Sequence, residues 1–108
     1  MITVRRGDIV LVVLDPTIGS ESAKTRPCLV LSPDEMNLPA PTVIVAPLTT
    51  KAKPYPWRVG CDFGGQPGQV MTEQIRTVSK DRVLKTLEVA GSSTLNESLD
   101  RLCEMFAP

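Results

Sequence analysis

The chain has 108 residues, of which 42% are hydrophobic and 22% charged, with basic and acidic side chains in equal number. That length fits one domain, residues 1–108, with a real core, and the composition excludes wholesale disorder. A formal charge of zero excludes a global basic field, so a nucleic-acid partner would have to be held by a local patch.

Aromatic residues are only 4% of the chain, which argues against a binding surface made mainly of stacked rings. The three cysteines, Cys28, Cys61 and Cys103, show no paired spacing. Cys28 lies in an apolar run and Cys103 near an apolar helical stripe, so both read as small buried hydrophobes. The chain has no histidine and no CxxC, hence no usual zinc site and no His-based catalysis, and no cofactor is called for. No secretory signal and no run of about 18 apolar residues is seen, so a cytoplasmic protein that avoids membranes is expected.

In chain order, Arg5-Arg6-Gly7-Asp8 is a turn into a first strand, Asp8–Asp15. It is almost unbroken Ile, Val and Leu, as expected for a strand covered on both faces. A second strand spans Cys28–Ser32 and stops at Pro33-Asp34. The connection Asp34–Pro41 has room for one helical turn. Thr42–Ala46 is a β-branched third strand, followed by Pro47-Leu48-Thr49-Thr50-Lys51 as a polar strand mouth. Lys51–Pro56 reads as a mobile, basic loop.

Trp57–Phe63 alternates, with Trp57, Val59, Cys61 and Phe63 on one side of a half-buried strand. Two short strands, Gln69–Met71 and Ile75–Val78, flank a kink at Thr72-Glu73-Gln74. A last strand covers Val83–Val89. A helix then starts near Gly91–Thr94, with Thr94 and Glu97 as a capping box. Leu95, Leu99, Leu102 and Phe106 form its apolar stripe, and Met71, Met105 and Cys103 read as core. Six or seven short strands in largely antiparallel order, with a C-terminal helix, imply a small, mainly β, barrel-like fold.

The stretch Gly19–Pro27 separates two apolar runs, and a long polar connection between buried strands is a common place for function. Proline biases the residue before it toward extended geometry, so Arg26 is expected at a strand mouth with its fork available for phosphate. The plainer alternative is a surface loop whose arginine pairs weakly with Glu21. Charge is unevenly spread. In Ser20–Val30 and Thr49–Arg58, Lys24, Arg26, Lys51, Lys53 and Arg58 face only Glu21, a net +4, whereas Glu88–Glu104 is net −3. If the first two segments meet, they form a basic concavity.

The ordered set Arg6-Gly7-Asp8-Ile9, Leu14-Asp15-Pro16-Thr17, Gly19-Ser20-Glu21, Lys24-Thr25-Arg26-Pro27, Leu29–Pro33, Thr42–Thr49, Tyr55-Pro56, Gly68-Gln69-Val70 and Glu73–Val78 resembles the MazF/PemK family of type II toxin–antitoxin toxins. Residues after Val83 match only in pattern. The resemblance implies a homodimeric, SH3-like barrel (MazF/PemK/CcdB-like). It implies a metal-independent endoribonuclease that cuts single-stranded RNA at short motifs. The ribose 2′-hydroxyl would attack, leaving a cyclic phosphate and a free 5′-hydroxyl. It further implies a MazE-like antitoxin, expected to lay an acidic segment over the basic groove.

Carried onto this chain, the family's catalytic arginine falls on Arg26, its threonine on Thr49, and the acidic residue of the Gly-Ser-Glu loop on Glu21. Its RNA-contacting loops correspond to Thr17–Thr25 and Thr50–Trp57, so Ser20, Lys24, Thr50, Lys51 and Lys53 are candidate substrate contacts. Gln74 and Arg76 are supporting candidates, and a glutamine or arginine at a kink also serves to satisfy backbone groups. Arginine stays protonated and is a poor base. Arg26 is therefore assigned to transition-state charge, Thr49 to phosphate orientation and Glu21 to acid–base work. Trp57 is either a base-stacking ring or core and dimer surface. Two other classes compete. A gyrase-poisoning toxin of the same fold would lack the arginine–threonine pair, and a non-catalytic barrel module would favour an aromatic groove.

Overall fold

The fold was analysed in a computed structural model, which describes residues 2–15, 18–19, 21 and 24–108. The strands among these are β1 (Asp8–Val13), β2 (Thr25–Val30), β3 (Thr42–Thr49), β4 (Val59–Gly60), β5 (Gln69–Val70), β6 (Arg76–Ser79) and β7 (Val83–Val89). Helix α1 is a single turn, Asp34–Asn37, and α2 runs from Ser92 to Phe106. The strands form one antiparallel sheet in the order β4-β5-β3-β2-β1-β7, with β6 also paired to β3. It is an open sheet that is barrel-like, as expected of a mainly β chain closed by a C-terminal helix.

β3 organises the sheet. One of its edges pairs with β2 through Val45–Pro47, and the other pairs first with β6 and then with β5. A short 3-10 turn, Thr72–Gln74, provides the step between β5 and β6 at the kink expected from the sequence. The alternation of a strand sends successive side chains to opposite faces. One face carries Val10, Val12, Cys28, Val30, Val43, Val45 and Val78. The other carries Ile9, Leu29, Ala46 and Leu48, packed with Leu95, Leu99 and Leu102 of α2. The expectation that β1 is covered on both faces therefore holds. Burying a Val or Leu side chain contributes about 1.5–3 kcal/mol, so the two clusters supply the drive for folding.

Several expectations need correction. β2 begins at Thr25 rather than Cys28, so Arg26 and Pro27 lie inside the strand and pair with Val12 and Leu11 of β1. β3 continues to Thr49. The strand expected over Trp57–Phe63 shrinks to two residues, because Trp57 sits in a turn and Phe63 bridges to Gln66 across a Gly-rich hairpin. Helix α2 has Gly91 as its N-cap, with no side-chain cap, which leaves Thr94 inside the helix and removes the capping box. The apolar stripe of α2 ends at Leu102. Phe106 is 71% exposed, and Met105 and Cys103 also face outward.

Candidate active site

The site follows from the point where β2 and β3 stop pairing. Their register runs Val30↔Val45, Leu29↔Ala46, Cys28↔Pro47 and then ends. Two further steps of the same register would set Pro27 against Leu48 and Arg26 against Thr49. Instead that edge of β3 is left open past Pro47, while its opposite edge pairs Leu48 with Val70 and Thr49 with Gln69 of β5. The strands splay, and the opening is a groove of about 370 Å³ lined by Lys24, Thr25, Arg26, Pro27, Leu48, Thr49, Thr50, Lys51 and Phe63.

Arg26 is half-buried at the end of the column of Val10, Val12 and Cys28. Its Nη1 donates across the gap to the Leu48 carbonyl at 3.5 Å. Its Nε is buried with no partner among the described residues, and Arg26 makes no ion pair there. Pairing with Glu21, the plainer alternative, is therefore not what the structure contains. A buried donor left without a partner costs roughly 1–3 kcal/mol, and such groups call for an explanation in function. Thr49 is only 8% exposed. Its Oγ1 accepts from the Lys51 backbone N–H at 3.1 Å, which leaves the hydroxyl proton free to point at a ligand.

The basic strand mouths are held by backbone geometry. Lys24 has a left-handed backbone, φ 65°. Its N–H donates to Asp15 Oδ1 and its carbonyl accepts from Leu14 N–H, both at 2.7 Å, so the ends of the connection after β1 are clamped together. Arg76 and Arg82 add donors to the carbonyls of Leu14, Val13 and Asp15 at the same place. Gly68 is required on the floor. A Cβ there would stand 2.7 Å from the Thr49 carbonyl oxygen and collide with the Phe63 ring.

A second cleft lies beyond Pro47. Its inner part, about 250 Å³, is lined by Glu21, Pro47, Glu73, Gln74, Ile75 and Arg76. An outer part adds Tyr55, Trp57 and Arg58. Here the Glu73 carboxylate is paired. Arg58 forms a two-pronged ion pair with Glu73, and Trp57 Nε1 donates to the same carboxylate at 3.1 Å. The Tyr55 and Trp57 rings stack at 4.9 Å, with the Arg58 guanidinium 4.8 Å from the Tyr55 ring centre. Burial pushes the Glu73 carboxyl up, but the hydrogen bonds and charge of Arg58 outweigh it and hold the group below its ordinary value. The loop expected to be mobile is pinned. Gln69 donates to the Lys53 carbonyl and accepts from its N–H, each at 3.0 Å.

Of the candidates from sequence, Arg26, Thr49, Lys24, Thr50 and Lys51 share one groove. Glu21, Gln74 and Arg76 line the neighbouring cleft, and Lys53 lines neither. Ser20 lies outside the described residues. Arg76 is nevertheless on the same sheet face as Arg26, since it pairs with Val45. Both guanidiniums act on Cys28 between them. Burial pushes that thiol up to about 12, against the pull of Arg76 and then Arg26, so Cys28 stays neutral and is no nucleophile. The sequence reading passes over Phe63 and Glu73. Glu73 carries a signal, its place beside Gln74 in the kink, but its pairing with Arg58 spans 15 residues and is invisible without the fold. Among the described residues no three Cys, Asp or Glu side chains gather as a metal site.

Residues 5–106 match the family model of PemK-like, MazF-like toxins of type II toxin–antitoxin systems. The chain belongs to this family. It is 36% identical over 73 residues to the endoribonuclease toxin MazF of Escherichia coli strain K12, covering 68% of this chain and 66% of that protein. The chain thus spans just under two-thirds of that relative's length. Endoribonuclease EndoA of Bacillus subtilis is 41% identical over 87 residues, 74% of each chain. The crystal structure of MazF from Deinococcus radiodurans superposes with a TM-score of 0.87 at 28% identity over 97% of both chains. A MazE–MazF complex from the same organism matches at 0.81 and 27%, over 96% of each.

Proposed function

We propose that this toxin is an endoribonuclease that binds single-stranded RNA across the Arg26–Thr49 groove and cuts it without a metal. The observation that carries this reading is the juxtaposition of Arg26 and Thr49 where the β2–β3 ladder opens. The curated relatives named endoribonucleases support the reaction class. In the proposed step the ribose 2′-oxygen bonds to phosphorus while the bond from phosphorus to the 5′-oxygen breaks. The 2′-hydroxyl proton leaves and the 5′-oxygen gains one, giving a 2′,3′-cyclic phosphate and a 5′-hydroxyl.

The transition state gathers charge on the non-bridging oxygens. Guanidinium N–H groups and a hydroxyl fixed by the fold stabilise it without reorganising. Arg26 supplies the charge, Thr49 orients the phosphate, and Lys24, Thr50 and Lys51 position the flanking backbone, which carries no sequence information. Glu21 remains the proton carrier in this proposal. Because it lines the adjoining cleft, its role requires the RNA to run past Pro47 from one opening to the other. Arg76 and Gln74 would meet the chain there.

The partner we propose is an antitoxin of the MazE kind with an acidic segment that covers the basic groove, in line with the MazE–MazF assembly among the similar structures. The toxin itself is proposed to act as a homodimer. The test is digestion of a long unstructured RNA in EDTA, with product ends mapped. Discrete cuts ending in cyclic phosphate are expected, and a 2′-deoxy substitution at the cut nucleotide should block them. Cutting that persists at the deoxy position would reject the mechanism. No cutting by folded protein would move the reading to a protein-binding toxin, tested next on gyrase.

A further inference from the structure

We infer that Pro27 is a positioning residue, which sets the Arg26 guanidinium by withholding a backbone hydrogen bond from the Leu48 carbonyl. Ile44 accepts from Leu31 N–H, and Pro47 accepts from Met71 N–H on the opposite edge. Backbone groups alternate between the edges of a strand, so Ile44, Ala46 and Leu48 present their carbonyls toward β2. In the shared register the donor facing Leu48 belongs to position 27. That position is a proline and has no N–H.

Two consequences meet at one atom. The β2–β3 ladder stops at Cys28↔Pro47, which leaves that edge of Leu48 and Thr49 without a strand partner and opens the groove, while their other edge pairs with β5. The Leu48 oxygen is left for a side chain, and Arg26 Nη1 takes it at 3.5 Å. A guanidinium tied by one nitrogen to the wall of the groove is held in orientation, with the rest of its fork left to the phosphate. An ordinary residue at position 27 would supply the missing donor, extend the ladder by one pair and release Arg26 from its tether. The side chain at 27 need touch no substrate for this to matter.

The consequence for cleavage rests on the nuclease reading above, whereas the hydrogen-bond exchange does not, so two measurements are needed. The first is NMR of wild type and Pro27→Ala. In wild type, the Arg26 guanidinium should show scalar coupling to the Leu48 carbonyl carbon. In the variant, that coupling should pass to the new amide at position 27, which should resist hydrogen exchange. A wild type with no Arg26–Leu48 coupling overturns the inference, and so does a variant whose new amide exchanges freely. Pro27→Val restores the same N–H on a strand-favouring residue and serves if the alanine variant fails to fold.

The second measurement is steady-state RNA cleavage. Displacing a positioned group lowers kcat by about tenfold to a hundredfold, and KM and melting temperature should stay close to wild type. A bonded amide with undiminished kcat overturns the inference, since Arg26 would then work untethered. A wild type that cuts no RNA rejects the nuclease reading, and the coupling measurement still decides the hydrogen-bond exchange on its own.

Discussion

Two polar clusters stand on either side of Pro47, and they differ in how completely they are bonded. Around Glu73 the carboxylate and the arginine beside it are paired. Arg58 grips the carboxylate with both prongs, Trp57 donates to it, and Tyr55 stacks on Trp57 beneath the Arg58 guanidinium. Around Arg26 the opposite holds. One nitrogen spans a long 3.5 Å contact, and among the described residues a second is buried without a partner and the Thr49 hydroxyl keeps its proton uncommitted. A satisfied network rigidifies, whereas unsatisfied donors in a groove wait for a ligand. We propose that the first cluster is architecture and the second the place of the chemistry.

The largest expected effect comes from breaking the unsatisfied side. Arg26→Ala should lower RNA cleavage by about a hundred- to a thousandfold, as removal of a transition-state donor does. Its stability should hold or improve, because a poorly paired buried group is removed. A loss of folding in circular dichroism would make Arg26 a structural residue instead. Thr49→Val keeps the shape and removes the hydroxyl. Cleavage should drop about a hundredfold, with KM less affected than kcat.

The other side should respond in the opposite sense. Glu73→Ala strips Arg58 and Trp57 of their acceptor and should lower unfolding free energy by about 1–3 kcal/mol, read by urea denaturation. Cleavage by the folded fraction should fall far less than in Arg26→Ala. The acidity of Glu73 sharpens the point. A carboxyl held below its ordinary value in the folded state, and released to that value on unfolding, favours folding when ionised. Its contribution is present above the ordinary value of 4.5 and is lost as pH falls below it. Glu73→Gln should flatten that part of the stability profile, and an unchanged acid limb would refute the assignment. The smallest effect concerns the thiols. Cys103 is exposed and should react with a maleimide in the native state, whereas Cys28, buried and protonated, should react only on unfolding. Mass spectrometry of the labelled protein checks this.

Much of the fold was legible because local pattern and burial agree here. The unbroken apolar run of β1 announced a strand covered on both faces, the Thr72–Gln74 kink fell where expected, and Val83–Val89 matched its strand to the residue. Where reading failed, tertiary context had overridden periodicity. Trp57 continues the alternation of Val59, Cys61 and Phe63, but Glu73 and Thr72 draw it into a turn, with Thr72 Oγ1 donating to its carbonyl at 2.7 Å. Phe106 continues the spacing of Leu95, Leu99 and Leu102, yet it stays exposed outside the core cluster those leucines join. In the site, Arg26 and Thr49 were singled out from residue type and motif, and the structure sets both in one groove. Their meeting in one groove was not readable, because it depends on how β2 and β3 pair and then part, and Arg26 stands 22 residues from the Leu48 whose carbonyl it reaches. Glu21 shows the limit from the other side, since its motif was plain and its place in the neighbouring cleft was not.

The most direct measurement is a paired one, RNA cleavage rate in EDTA and unfolding free energy on the same preparations of wild type, Arg26→Ala and Glu73→Ala. The account predicts a crossed result, with cleavage lowered about a hundredfold or more but stability kept in the first variant, and stability lowered but cleavage largely kept in the second. Arg26→Ala that cuts at the wild-type rate would contradict it, and so would two variants that lose activity and stability together in the same proportion.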